Sequence, residues 1–104
     1  MIVSTTDDIA GRRIVKTIGV VRGNAVRARH LGKDILAVLR NIVWGEIHEY
    51  VTLAAEAREE AMDRMVDEAE ELGSNGIIGI RFGTALIMSG AAELLVYGTA
   101  VVVE

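Results

Sequence analysis

The chain has two imidazoles, His30 and His48, and no cysteine. A heavy-metal site needs soft or borderline ligands held close together. These two histidines are not at i, i+4 spacing, but oligomer symmetry could bring them together across subunits, and they stand as weak metal-ligand candidates. Their ordinary alternative is a pair of surface or boundary histidines. Without cysteine, thiolate zinc sites, all-cysteine iron–sulfur clusters, disulfides and a cysteine nucleophile are excluded. Ser4, Ser74 and Ser89 lie outside any Gly-x-Ser-x-Gly setting, and no nucleophile, base and orienting group can be assembled from sequence. Gly19-x-x-x-Gly23 and Gly76-x-x-Gly79 do not run on into Gly-Lys-Ser/Thr, so neither is a phosphate loop. Their glycines fit bends or close helix–sheet approach. No catalytic residue and no cofactor is assigned.

Arg58 is the most singular charged residue. Helical spacing places it within an apolar stripe between Ala54 and Ala61/Met65, where a charge is costly unless paired. It reads as an anion- or ligand-binding arginine or as an interface salt bridge, with Asp34 as one partner. Asp34, Arg40 and Arg58 are the interface or ligand candidates.

The elements that would position these groups follow from periodicity. A short strand is expected at Ile2–Thr5, a turn near Asp7–Arg12, and a longer β-branched strand at Arg13–Arg22, followed by a change of direction at Gly23-Asn24. Leu31, Ile35, Val38, Leu39 and Ile42 suggest a short helix from about Gly32 to Val43. The strongest signal is Glu46–Leu72. At about 100° per residue, Ile47, Val51, Ala54, Ala61, Met65, Ala69 and Leu72 form one stripe, and eight acidic residues fall opposite. Gly73 fits a helix stop and Asn75-Gly76 a turn. Strands are expected at Ile77–Met88, with Ile78, Ile80 and Phe82 sharing a face, and at Glu93–Val103. The expected fold is α+β: an antiparallel sheet packed by one long amphipathic helix plus a short helix, in one domain spanning residues 1–104.

Composition narrows the function classes. The 104 residues are 51% hydrophobic, which excludes intrinsic disorder. The first residues lack the pattern of a signal peptide, and no uncharged stretch approaches the roughly 20 residues of a membrane span, so a cytoplasmic protein with no membrane partner is expected. Residues 1–45 sum to +5 and residues 46–72 to −8. That polarity could orient subunits against one another. The acidic helix arc reads as a solvated face, since no calcium-loop spacing is present. Arg12, Arg13, Lys16, Arg22, Arg27, Arg29 and Lys33 make a basic N-terminal third, but 4% aromatics and a net charge of −4 weigh against nucleic-acid binding.

The final strand is apolar on both faces, with Leu95, Tyr97, Val101 and Val103 alternating against Leu94, Val96, Ala100 and Val102. One helix covers one face of a sheet, and the short helix covers part of the other. The uncovered remainder would be larger than a monomer tolerates, so a homo-oligomer is expected, its sheets facing one another or wrapping a common axis. The alternative is a monomer whose short helix folds over the second face.

Ser4-Thr5-Thr6, Gly19-Val20-Val21-Arg22-Gly23, Asp34, Arg40-Asn41-Ile42-Val43, Ala57-Arg58-x-x-Ala61, Leu72-Gly73-Ser74-Asn75-Gly76-Ile77-Ile78-Gly79 and Gly98-Thr99-Ala100-Val101 occur in that order. This pattern resembles the YbjQ-like family, labelled "putative heavy-metal-binding", over nearly the whole chain. The resemblance implies a dodecin-like subunit assembled as a pentameric ring. Asn41, Trp44, Arg81 and Gly83 depart from it, and Asn41, Arg81 and Gly83 remove carboxylates from any oxygen-donor metal site. Together these readings give a non-enzymatic oligomeric protein that binds a small ligand or metal or acts as a scaffold. The rival reading is an enzyme with a composite active site at subunit interfaces.

Overall fold

The computed structural model describes residues 1–28, 48–88 and 91–104. The expected helix at 32–43 lies outside them. Among the described residues there are four strands and one helix: β1 (Ile2–Val3), β2 (Ile14–Ala28), α1 (His48–Glu71), β3 (Gly76–Met88) and β4 (Ala91–Val103). They form an α+β fold with one four-stranded sheet in the order β1-β3-β4-β2. The sheet is mixed rather than wholly antiparallel. β4 runs antiparallel to both long neighbours, whereas β1 pairs parallel with β3, Ile2 opposite Gly76 and Val3 opposite Ile77.

Alanine-rich helix surface explains how α1 lies so close to the sheet. Ala57, Ala61, Met65 and Ala69 are buried at strict four-residue spacing, a single i±4 ridge, against Val21 and Ala25 of β2 and Leu94, Val96 and Ala100 of β4. Small side chains let the backbones approach. At Gly23 an added Cβ would fall 2.0 Å from the Ala61 carbonyl oxygen and 2.6 Å from the Met65 nitrogen. Gly23 is therefore not a turn. β2 continues straight through it to Ala28, and the missing side chain is what admits the helix.

Two bulges reset which residues face the helix. The register of β3 against β4 shifts between Ile78 and Arg81, where Gly79 has φ +62°. An extra residue in a strand exchanges its faces. Ile77 and Ile80 therefore both point toward α1 and flank Gly98, although simple alternation had placed them on opposite sides. Phe82, paired with Val96 on the helix side, is half exposed because α1 lies across β2 and β4 and scarcely reaches β3. Gly19 (φ +145°) sits at the matching shift in β2.

The opposite face is covered at one end. Val101 and Val103 are buried there, Val103 lies opposite Ile14, and Ile9 of the N-terminal segment reaches toward Gly76 beside Val101. So the two-sided burial of the final strand is partly met inside the chain. Further along, Val20 (63%), Val26 (51%) and Tyr97 (43%) remain exposed.

Candidate functional site

The most ordered polar construction joins α1 to β3. The helix ends in a Schellman arrangement: Gly73 at φ +83° donates its N–H to the Glu70 carbonyl, and Ser74 N–H donates to Ala69. Ser74 is buried, and its hydroxyl lies 2.7 Å from the Gly76 carbonyl and 2.8 Å from that of Val101. Asn75 then acts as a short piece of strand. Its Nδ2 donates to the Val103 carbonyl at 2.9 Å, and its Oδ1 accepts the Val103 N–H at 2.7 Å. Leu72-Gly73-Ser74-Asn75-Gly76 thus has a structural account: it ties the helix end, the start of β3 and the end of β4 together.

Ser4-Thr5-Thr6 likewise extends β1 around the Gly79 bulge. Ser4 N–H donates to Ile77, Ile80 N–H to Ser4 and Gly79 N–H to Thr6. The Ser4 and Thr6 hydroxyls bond each other, and Thr6 Oγ1 donates to the Asp8 carbonyl. Arg81 spans this corner, donating from one guanidinium nitrogen to the carbonyls of Thr5 (2.9 Å) and Ile80 (2.8 Å).

The outer edge of β2 is also occupied. Arg64 of α1 donates to the Asn24 carbonyl at 2.6 Å while pairing with Glu60, and Glu68 accepts the Arg22 N–H across a long 3.5 Å. These helix side chains engage two of the outward-pointing ladder groups of the strand.

Where, then, do the candidates from sequence stand? Arg58 is exposed in the chain. The buried ridge passes through Ala57, one residue away, because four-residue spacing from Ala61 leads there and leaves Arg58 on the flank. The desolvation that singled Arg58 out is absent within one chain. Leu72, expected on the stripe, is exposed too. His30, Asp34 and Arg40 lie outside the described residues. His48 opens α1. Among the described residues no three His, Asp or Glu side chains gather to hold a metal ion. With no cysteine in the chain, the described donors are oxygen-rich and do not fit a soft heavy-metal ion. A shallow depression along α1 is lined by Ala55, Glu56, Glu59, Glu60, Asp63 and Arg64.

Sequence reasoning missed one juxtaposition. Strand register sets Arg22 opposite Tyr97 and Tyr97 opposite Arg81, so three adjacent strands present Arg–Tyr–Arg in one row on the face away from α1. Each residue was visible alone. Only the register of two ladders, including the Gly79 bulge, aligns them.

Among the described residues the geometry is that of an α+β protein in which α1 packs on one face of a four-stranded sheet. The chain belongs to the YbjQ-like family, whose model, described as "Putative heavy-metal-binding", matches residues 1–104. It is 55% identical to a UPF0145 protein of Dehalococcoides mccartyi over all of both chains. It is 52% identical to one of Methanosarcina acetivorans, covering 97% of this chain and 95% of that one. A solved protein of unknown function from Pediococcus pentosaceus superposes with a TM-score of 0.63 at 20% identity, covering 100% of this chain and 98% of that one, which shows a shared fold.

Proposed function

We propose that the protein is a non-enzymatic subunit of a homo-oligomer, a dodecin-like pentameric ring, that works in the cytoplasm as a scaffold holding a small ligand between subunits. The observation that carries this reading is the set of apolar side chains left exposed on the sheet face away from α1. Val20, Val26 and Tyr97 stay exposed on that face, apolar surface that a second copy would shield. Shape supports it as well. The Cα radius of gyration is 17.3 Å, with extents of 55 × 23 × 16 Å, whereas a compact domain of this length has about 13 Å. Among the described residues no strand pairs with β3 beyond Arg81 on its outer side, which leaves that edge available to a neighbour. A metal as the held species would depend on His30 and His48 meeting across subunits. No helix among the described residues is long and apolar enough to cross a membrane.

Native mass spectrometry of the untagged protein, combined with metal analysis, tests the reading. The expected mass is about five times the 11.2 kDa of the chain. A species that stays at the single-chain mass and binds no hydrophobic dye overturns it.

A further inference from the structure

Among the described residues, the sheet face away from α1 carries a specific chemistry. Arg22, Tyr97 and Arg81 stand side by side on β2, β4 and β3. Neighbouring strands lie about 4.8 Å apart, so the two arginine backbones flank the tyrosine across roughly 10 Å. All three residues are exposed. The Arg81 guanidinium is anchored on the Thr5 and Ile80 carbonyls. Among the described residues, the Arg22 guanidinium and the Tyr97 hydroxyl take part in no hydrogen bond or ion pair. On one side of the row lie Val20, Thr99 and Ile78, a largely apolar strip; on the other lie Asn24, Leu95 and Gly83. Glu93 of β4 also lies on this face, two rows from Tyr97.

Gly83 adds an independent observation. It sits inside β3, has no left-handed φ, and a Cβ placed there would meet nothing within 4 Å. Among the described residues nothing requires glycine at this position, unlike Gly23. A glycine inside a strand leaves room for another group to approach the backbone closely. It lies one row from the Arg–Tyr–Arg line, on the same face.

We infer that this face binds a planar aromatic anion, a ring bearing phosphate or carboxylate, with the ring on Tyr97 and its charge between Arg22 and Arg81. A guanidinium is suited to both tasks, since it binds oxyanions through paired N–H groups and stacks on flat π systems. The chain is acidic overall, yet its helix carries the acids on the other side of the sheet, so the row remains locally positive. The inference deepens the reading of a ligand held between subunits. Facing or ring-forming copies would bring their arginine rows together, and an anion there would offset the repulsion. A nucleic-acid strand suits the face less well, since successive bases need successive aromatic platforms and Tyr97 is the one aromatic of the described face, Phe82 lying on the helix side.

The test is calorimetric titration of the full-length protein with adenosine 5′-monophosphate, alongside adenosine, inorganic phosphate and a ten-nucleotide single strand. Oligomeric mass is measured in the same buffers. The monophosphate is expected to bind at least ten-fold more tightly than adenosine or phosphate. Arg22→Gln, Tyr97→Leu and Gly83→Leu should each weaken it ten-fold or more while leaving the circular dichroism spectrum unchanged. An intact oligomer that binds none of the probes, or variants with wild-type affinity, overturns the inference and leaves the assembly reading standing. A single chain that binds the monophosphate through Arg22 and Tyr97 supports the inference and overturns the assembly. Tighter, steeply salt-dependent binding of the oligonucleotide would make the face a nucleic-acid platform and overturn the inference too.

Discussion

Gly23 sets the tightest tolerance among the described residues. The groups a Cβ would strike are helix backbone, which cannot swing aside as a side chain could. Gly23→Ala should therefore separate α1 from β2 and cost about 3 kcal/mol or more, at the top of the overpacking range, read as a fall in the urea midpoint. Gly98→Ala is the milder case, because its closest neighbour at 2.8 Å is an Ile77 side-chain methyl. Ser74 and Asn75 act through hydrogen bonds instead. Ser74→Ala removes a buried hydroxyl that serves two carbonyls, and Asn75→Asp replaces the donor to Val103 with an acceptor. Each should lower stability by about 1–3 kcal/mol, checked by thermal melts. The Arg13–Glu104 pair, 2.6 Å long but largely exposed at both ends, is a contrast: Glu104→Gln should change stability by less than about 1 kcal/mol.

At the scale of elements, much was legible. The 3.6-residue period foretold α1 nearly to its ends, and strands β3 and β4 followed from alternation. What alternation could not supply was phase. Ile77 and Ile80 share a face only because Gly79 inserts an extra residue, and a bulge is a property of two paired strands, unseen in either one. The same limit hid the parallel pairing of β1, which depends on where a two-residue strand docks. It also hid the Arg22–Tyr97–Arg81 row. Arg58 lies off the buried ridge for a different reason: angular averaging over a long helix draws a broad stripe, whereas the contact with a twisted sheet follows one narrow ridge through Ala57. If Arg58 serves an interface, Arg58→Ala will lower the oligomeric mass or the melting temperature; unchanged values of both would assign it to solvent.

The whole molecule is long and thin, and apolar side chains stay exposed on the sheet face away from α1, Val20, Val26 and Tyr97, as well as on the helix side, Phe82. Its charges are divided as well, since the acids crowd onto α1 while basic residues dominate the N-terminal half. If that polarity orients subunits, assembly will weaken as salt rises from low to molar concentration, because surface charges are screened over about 10 Å at 0.1 M and about 3 Å at 1 M. Light scattering across a salt series reads this directly. Metal chelation gives a second check at this scale. Because the described side chains gather no metal cluster, EDTA should leave both the mass and the melting temperature unchanged. A drop in either would locate a structural ion outside those residues and bring His30 forward.

The reach of Arg64 and Glu68 to Asn24 and Arg22 makes the helix a guard as well as a layer. When the middle of α1 loosens, the bare ladder of β2 becomes a template on which other chains can stack without end. Removing the two guarding side chains together, in an Arg64→Ala/Glu68→Ala double variant, should shorten the lag before thioflavin-positive fibrils form on mild heating, even where the native fold survives. The residues that hold this protein in shape would then also be those that keep it in solution.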